Sequence, residues 1–184
     1  MSMSEYEHHR LFFGIEIPQP VKQAIETSLR AFPQALHQMV SPDRWHITLF
    51  FLGECPDIRG YTSRLKKPIP QAFLPTVHVT HLGRGLAPNQ VWAYVAPSPI
   101  LDEIRAGLLE RLKKMRLPSP LLRASQSFVP HIHVADLPAD KNSSLASDSL
   151  IKAVFPLKEI TLFESKKTEA GLMYMKELGI PLTR

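Results

Sequence analysis

Apolar residues recur along this chain with two different periods. Short runs of apolar or alternating residues, typical of β-strands, occupy positions 11–17, 45–52, 76–81, 90–96, 128–135, 157–164 and 172–178. Two longer stretches repeat their apolar residues every three or four positions, as amphipathic helices do, and open at Pro20 and at Ser98-Pro99. Because the strands follow one another at hairpin-type spacing, the pattern predicts an α+β fold with antiparallel sheets.

The same order of elements occurs twice along the chain. Strand 11–17 is followed by Pro18, a helix and the strand that begins at Trp45. Strand 90–96 is followed by Pro97, a second helix and strand 128–135. We interpret this as one strand–helix–strand unit used twice. If the two copies build similar lobes, their equivalent faces can meet across a cleft.

Each copy ends in a strand that carries a histidine among apolar residues, as His46-Ile47-Thr48-Leu49 and His131-Ile132-His133-Val134. Side chains two positions apart in a strand point to the same face, so each strand offers an imidazole and a second polar group. Two facing imidazoles suit phosphodiester hydrolysis, because one can take a proton from water while the other protonates the leaving oxygen. His78-Val79-Thr80 has the same spacing but no repeat partner, and we interpret it as an edge or exposed strand.

Composition narrows the class of protein and its partners. The chain has 184 residues, enough for one domain or for two small lobes that share a core. A formal net charge of +5 favours polyanionic partners such as RNA. Cys55 is the single cysteine, so no internal disulfide can form and we expect a cytoplasmic location. The apolar run 11–17 is too short to span a membrane, and the absence of heptads favours a monomer.

These motifs resemble those of the two-histidine (2H) phosphoesterases, specifically the RNA 2′,3′-cyclic phosphodiesterases, which are also called 2′-5′ RNA ligases. The residues that carry the resemblance are Arg10 to Pro18, Trp45 to Gly53, Phe128 to His131, Leu162 to Ser165, Gly171 and Tyr174. The resemblance spans nearly the whole chain. It implies a single bilobal α+β domain over residues 1–184, with pseudo-twofold symmetry and a central cleft between two antiparallel sheets.

The resemblance also implies an activity and a role for each motif residue. The expected reaction is hydrolysis of a 2′,3′-cyclic phosphate at an RNA 3′ end, or of a cyclic nucleotide, to a 2′-phosphate. No metal and no cofactor would take part, and the reverse 2′-5′ ligation is a further possibility. By analogy, His46 is the proton donor to the leaving 3′ oxygen, His131 is the proton acceptor that activates water, and Thr48 holds the phosphate.

The second motif departs from the family pattern at two positions. His133 stands where the family normally has threonine, and Asp136 stands where it often has arginine. Because a carboxylate repels a phosphate, Asp136 is unexpected in such a site. We expect the ring N–H groups of His133 to replace the missing hydroxyl donor and to bind substrate.

Two other interpretations remain open at this point. His131 and His133 lie on one strand face at a spacing that zinc sites use, with His46 or Asp136 as a third ligand, which would give a metal-dependent hydrolase. Alternatively, the loss of threonine and arginine from the second motif would fit a module that binds RNA ends or nucleotides without turnover. Chelation separates the first alternative from the main one, and product formation separates the second.

Overall fold

The computed structural model describes residues 9–55, 62, 65–115, 128–137, 149–169 and 171–184. Nine strands in these ranges form one sheet. They are β1 (His9–Glu16), β2 (His46–Cys55), β3 (Ile69–Pro70), β4 (Thr76–Arg84), β5 (Gln90–Val95), β6 (His131–Asp136), β7 (Ser149–Pro156), β8 (Glu159–Thr168) and β9 (Gly171–Thr183). The helical segments around them include α1 (Gln19–Leu29), α2 (Pro33–His37), a 3-10 helix (Pro42–Arg44) and α3 (Pro99–Lys114).

The sheet consists of two halves joined at one point. Its strand order is β3-β9-β8-β1-β2-β6-β5-β4-β7. Strands β2 and β6 pair antiparallel through a single residue pair, Ile47 with Ile132. The predicted α+β class is confirmed, and the two expected antiparallel sheets are halves of one sheet, with β3 pairing parallel to β9 at its edge. That the halves descend from a repeated unit, as parts of one bilobal domain, stays a prediction.

One face of the sheet is apolar and covered. In β2, Ile47 and Leu49 are buried while His46 and Thr48 are half-buried, and β6 alternates in the same way. Helix α1 packs against β7 in the other half of the sheet. Helix α3 reaches back to the first half, where Arg105 Nε donates to the carbonyl of Leu49 at 2.9 Å. The apolar face is thus held by helices that cross between the halves, and the polar face remains open.

Several element boundaries differ from those expected. Strand β2 does not close at Gly53 but continues to Cys55, because Gly53 adopts a φ of +79° and the register with β1 shifts beside it. Pro33 begins a separate short helix, α2. Strand β4 continues beyond the expected range 76–81 to Arg84. Strand β7 was not predicted, because the polar residues Asp140 to Ser149 suggest a loop or a short helix; of these residues only Ser149 lies within the described part of the chain.

The described helices give no sign of a membrane span. None of those in the described part of the chain is long and apolar enough to cross a bilayer.

Candidate active site

The junction of the two half-sheets brings the two histidine motifs together. Pairing of Ile47 with Ile132 turns the polar faces of β2 and β6 toward the same side. There they border a cleft of about 250 Å³. Its described lining residues are Val40, Arg44, His46, Thr48, His131, His133, Asp136, Leu172 and Tyr174. All four side chains singled out from the sequence therefore line one cleft.

Both principal histidines are anchored by the same backbone contact. Nδ1 of His46 donates to the carbonyl of Arg44 at 2.8 Å, and Nδ1 of His131 donates to the carbonyl of Val129 at 2.7 Å. In each case the acceptor lies two residues before the histidine. Because a carbonyl oxygen can accept a hydrogen bond but cannot donate one, Nδ1 carries the proton in the neutral rings. Each ring is left with Nε2 as the nitrogen that can exchange a proton.

His46 is enclosed by aromatic side chains. Its ring centroid lies 4.7 Å from that of Phe12, 4.9 Å from that of Tyr174 and 5.8 Å from that of Phe163. Burial lowers the pKa of His46 to about 4, helped by the neighbouring imidazoles of His131 and His133 and opposed by the Arg44 carbonyl. His46 is therefore neutral near pH 7, and the hydroxyl of Thr48 donates to its Nε2 at 3.0 Å.

Gly14 of β1 makes room for this arrangement. It pairs with Thr48 across the strands. A Cβ at this position would lie 2.9 Å from the carbonyl oxygen of Ile47 and 3.4 Å from the ring of His46. In the sequence analysis Gly14 was only one residue of a predicted apolar strand. Its role in letting β1 approach His46 was missed.

His131 has a different neighbour. Its ring stacks on the indole of Trp92 in β5, with centroids 3.5 Å apart and planes 13° from parallel. Burial lowers the pKa of His131, the Val129 carbonyl opposes the shift, and His133 adds to it. A lowered pKa keeps His131 neutral near pH 7, which is the state a proton acceptor needs.

The two residues that depart from the family pattern contact each other. Nε2 of His133 lies 3.1 Å from Oδ1 of Asp136 and 3.1 Å from the carbonyl oxygen of Ala135. Two oxygen acceptors fix the proton on Nε2, so the ring gains a second N–H, on Nδ1, only when it is protonated. Asp136, which the sequence presented as a misplaced negative charge, accepts a hydrogen bond from the histidine that replaces threonine.

Two further polar side chains in the cleft, Arg44 and Tyr174, were not singled out as site residues. Arg44 ends the 3-10 helix two positions before His46. The signal for it in the sequence was that positions 44, 46 and 48 are two residues apart, the spacing of side chains on one face of a strand. Tyr174 of β9 lies edge-on to His46, and burial raises its pKa while Arg44 and Arg10 oppose the rise. Tyr174 entered the sequence analysis only as part of the family resemblance.

His78 lies outside the cleft. It is exposed on β4 and its Nε2 is 3.1 Å from the hydroxyl of Thr76. Its exposure matches the prediction, although β4 lies between β5 and β7 and is not an edge strand.

The described residues contain no ready-made metal cluster. No group of three or more His, Cys, Asp or Glu side chains among them is arranged to hold an ion.

Comparison with known proteins supports the resemblance found in the sequence. No protein-family model matches the chain. An RNA 2′,3′-cyclic phosphodiesterase of Archaeoglobus fulgidus is 24% identical over 131 residues, which cover 68% of this chain and 70% of that protein. The fold matches that of the Thermus thermophilus protein TT0787 with a TM-score of 0.73 and 22% identity, over 94% of this chain and 97% of the other.

The fold likewise matches E. coli LigT in its complex with 3′-AMP, with a TM-score of 0.73, 23% identity and coverage of 97% of this chain and 99% of LigT. The predicted similarity to RNA 2′,3′-cyclic phosphodiesterases and LigT-type phosphoesterases is confirmed, in sequence by the first relative and in fold by the two structures.

Proposed function

We propose that this protein hydrolyses the 2′,3′-cyclic phosphate at an RNA 3′ end, or of a cyclic nucleotide, to a 2′-phosphomonoester. The observation that carries the proposal is the pair of anchored imidazoles, His46 and His131, on the wall of one cleft with Nε2 as the exchangeable nitrogen of each. Nδ1 of each ring is committed to a backbone carbonyl. The name of the Archaeoglobus relative supports the substrate class.

The two histidines divide the proton transfers between them. Nε2 of His131 takes a proton from a water molecule as the water oxygen bonds to phosphorus. The bond between phosphorus and the 3′ oxygen breaks, and His46 donates its Nε2 proton to that oxygen. After one turnover His131 has gained a proton and His46 has lost one. Release of a proton from His131 to solvent and uptake of one by His46 restore the starting state.

His46 must be protonated to act as donor, and burial disfavours that state. With a pKa of about 4, only a small fraction of the ring is protonated near pH 7. A bound cyclic phosphate carries a negative charge, and an opposite charge within a few ångströms raises the pKa of an imidazole. Binding of the negatively charged substrate thus favours the protonated form of His46, which is the proton donor. Catalysis therefore depends on the presence of the phosphate.

Thr48 and His133 are proposed to hold the non-bridging phosphate oxygens. The hydroxyl of Thr48 donates to Nε2 of His46 while that nitrogen is unprotonated. Once Nε2 carries a proton, the hydroxyl is free to donate to the phosphate. His133 acts in its protonated form, with Asp136 accepting from Nε2–H and Nδ1–H directed to the phosphate. Fixed donors of this kind stabilise the charge that develops on phosphorus.

The net charge of +5 and the 3′-AMP and phosphate complexes of LigT support an RNA or nucleotide partner. We further propose that the protein acts as a cytoplasmic monomer, and that it catalyses 2′-5′ ligation when a 5′-hydroxyl end replaces water as the group that attacks the cyclic phosphate. Free Cys55, buried in β2, fits a reducing compartment.

Incubation of the protein with cyclic 2′,3′-AMP, with and without EDTA, tests this proposal. Chromatography against 2′-AMP and 3′-AMP standards is expected to show the 2′ isomer alone, at the same rate in chelator. Loss of the activity in EDTA and its return with zinc would support the metal-dependent hydrolase instead.

A second candidate function is binding without turnover, which the altered second motif favours. It predicts affinity for cyclic 2′,3′-AMP with no product. A single-turnover assay with enzyme in excess would reveal even slow hydrolysis, and its absence would favour the binding module.

A further inference from the structure

The cleft contains one strong fixed cation among its described lining residues. Arg44 is the single lysine or arginine among them, and Asp136 is the single carboxylate. Since the second motif has Asp136 where an arginine is often found, a permanently charged cation that faces the phosphate must come from elsewhere. Arg44 comes from the other half of the sheet, directly before β2.

Among the described residues, the side chain of Arg44 has none of the hydrogen-bond acceptors and carboxylates that usually hold an arginine in a fold. Its Nε is fully buried and has no hydrogen-bond partner among the described residues. The described residues also provide no carboxylate in ion-pair contact with it, although Asp43 is adjacent in sequence and lines a neighbouring cleft. A buried donor without an acceptor is costly, which favours a ligand that brings acceptor oxygens to this guanidinium.

A nearby cation shows the opposite situation. Lys176 of β9 forms ion pairs with Glu16 at 3.1 Å and with Glu159 at 2.5 Å. Its charge is compensated by the protein itself. Arg44 and Lys176 both border the neighbouring cleft, of about 220 Å³, so the difference lies in their partners rather than in their location.

The position of Arg44 places its charge between the two clefts. It lines both of them, together with His46 and Tyr174. Its backbone carbonyl accepts the Nδ1–H bond that orients His46. The residue that anchors the proposed proton donor through its backbone therefore extends a cationic side chain along the wall beside that histidine.

We propose that Arg44 is the phosphate-binding cation of this site, with its guanidinium donating to non-bridging oxygens of the cyclic phosphate. This inference rests on the proposed function for the identity of the substrate. An arginine presents paired N–H donors that match two phosphate oxygens, and a lysine does not. The positive charge offsets Asp136 on the opposite strand, so the altered second motif can still accept an anion.

The inference is tested with Arg44→Met and Arg44→Lys, and with Arg30→Met as the matched control. Arg30 is exposed after α1, so its replacement removes the same charge and the same side chain away from the cleft. Binding of inorganic phosphate and of 2′-AMP is measured by calorimetry at two salt concentrations, beside steady-state kinetics on cyclic 2′,3′-AMP. Thermal unfolding checks that each variant is folded.

Arg44→Met is expected to weaken phosphate and 2′-AMP binding by about 10- to 100-fold and to raise KM by a similar factor, as loss of a charge-assisted hydrogen bond does. Arg44→Lys should fall between Arg44→Met and the wild type. Arg30→Met should bind as the wild type does. Because the backbone carbonyl remains, the side-chain change leaves the anchor of His46 in place, and a purely structural role would not produce this graded loss of affinity.

The outcomes separate this inference from the proposed function. If the wild type binds phosphate in an Arg44-dependent way but releases no product, the inference stands and the proposed hydrolysis fails. If the wild type is active and folded Arg44→Met keeps wild-type phosphate affinity and KM, the inference is overturned. If Arg44→Met does not fold, the same decision is made on Arg44→Lys, which keeps the charge and loses the paired donors.

Discussion

The two histidine motifs occupy equivalent strands, yet their rings lie in different surroundings. His46 is packed among Phe12, Phe163 and Tyr174 and accepts a hydrogen bond from Thr48. His131 lies flat on Trp92. Both are held by the same contact to a carbonyl two residues earlier. The anchor is common to the two motifs, whereas the environment of each ring is not.

In the proposed mechanism, this difference lets one local geometry serve two proton-transfer roles. Burial lowers the pKa of both rings, and with a pKa of about 4 the proposed donor His46 depends on a bound anion for its proton. The proposed acceptor His131 needs no such help, since an acceptor has to be neutral. The second motif also differs in its second polar residue: His133, whose Nε2–H is accepted by Asp136, stands where the first motif has the hydroxyl of Thr48.

Removal of either imidazole is expected to have the largest effect on activity. His46→Ala and His131→Ala should each lower kcat on cyclic 2′,3′-AMP by about 10²- to 10⁴-fold, the usual contribution of one acid or base. His78→Ala is the matched control, because His78 is exposed on β4 outside the cleft. Initial rates of 2′-AMP release provide the measurement. A loss confined to one of the two histidines would contradict the shared mechanism.

The burial of His46 also predicts how stability depends on pH. The pKa is about 4 in the folded protein and 6.5 in the unfolded chain, so between these values protons bind preferentially to the unfolded state. The contribution of His46 is present above pH 6.5 and is lost as pH falls, by about 3 kcal/mol at pH 4. The lowered pKa of His131 acts in the same direction.

Urea unfolding from pH 7.5 to pH 4 measures this effect. His46→Gln should remove most of it, so that the variant loses less unfolding free energy on acidification than the wild type. If the free energy of unfolding fell equally with decreasing pH in the variant and in the wild type, His46 would not be buried in the way described.

Smaller effects are expected at the two phosphate-holding positions, where the motifs differ. Thr48→Val removes a neutral donor and should lower kcat/KM by roughly 10-fold.

His133→Thr restores a hydroxyl at the equivalent place in the second motif and should keep or raise activity. Complete loss in His133→Thr would show that His133 has a role beyond donating to phosphate.

The sequence was sufficient for the parts of the site that depend on local periodicity. Alternation along a strand predicted that His46 and Thr48 share a face, and the matching motif predicted the same for His131 and His133. The cleft between them was expected from the repeated unit and from the family resemblance. Arg44 obeys the same parity as His46, but it lies in a 3-10 helix before the strand, where strand periodicity is not expected to hold.

Contacts between distant segments could not be read from the chain. Phe12, Phe163 and Tyr174 surround His46 from β1, β8 and β9, strands that are far from His46 in sequence, and together they set its burial. The stacking of Trp92 on His131 accompanies a register shift between β5 and β6. Asp136 was judged by its charge alone, because its hydrogen bond to His133 depends on side-chain geometry at the end of β6.

The central claim is that both imidazoles act on one phosphoryl group, and histidine NMR tests it most directly. Protein labelled on its histidine rings is titrated from pH 3.5 to pH 8, with and without saturating 2′-AMP. We expect a pKa of about 4 for His46 in the free protein, a higher value with ligand, and ligand-induced shifts of the NMR signals of both His46 and His131. Binding of 2′-AMP that leaves the signals and pKa values of both rings unchanged would contradict a shared role at one phosphoryl group.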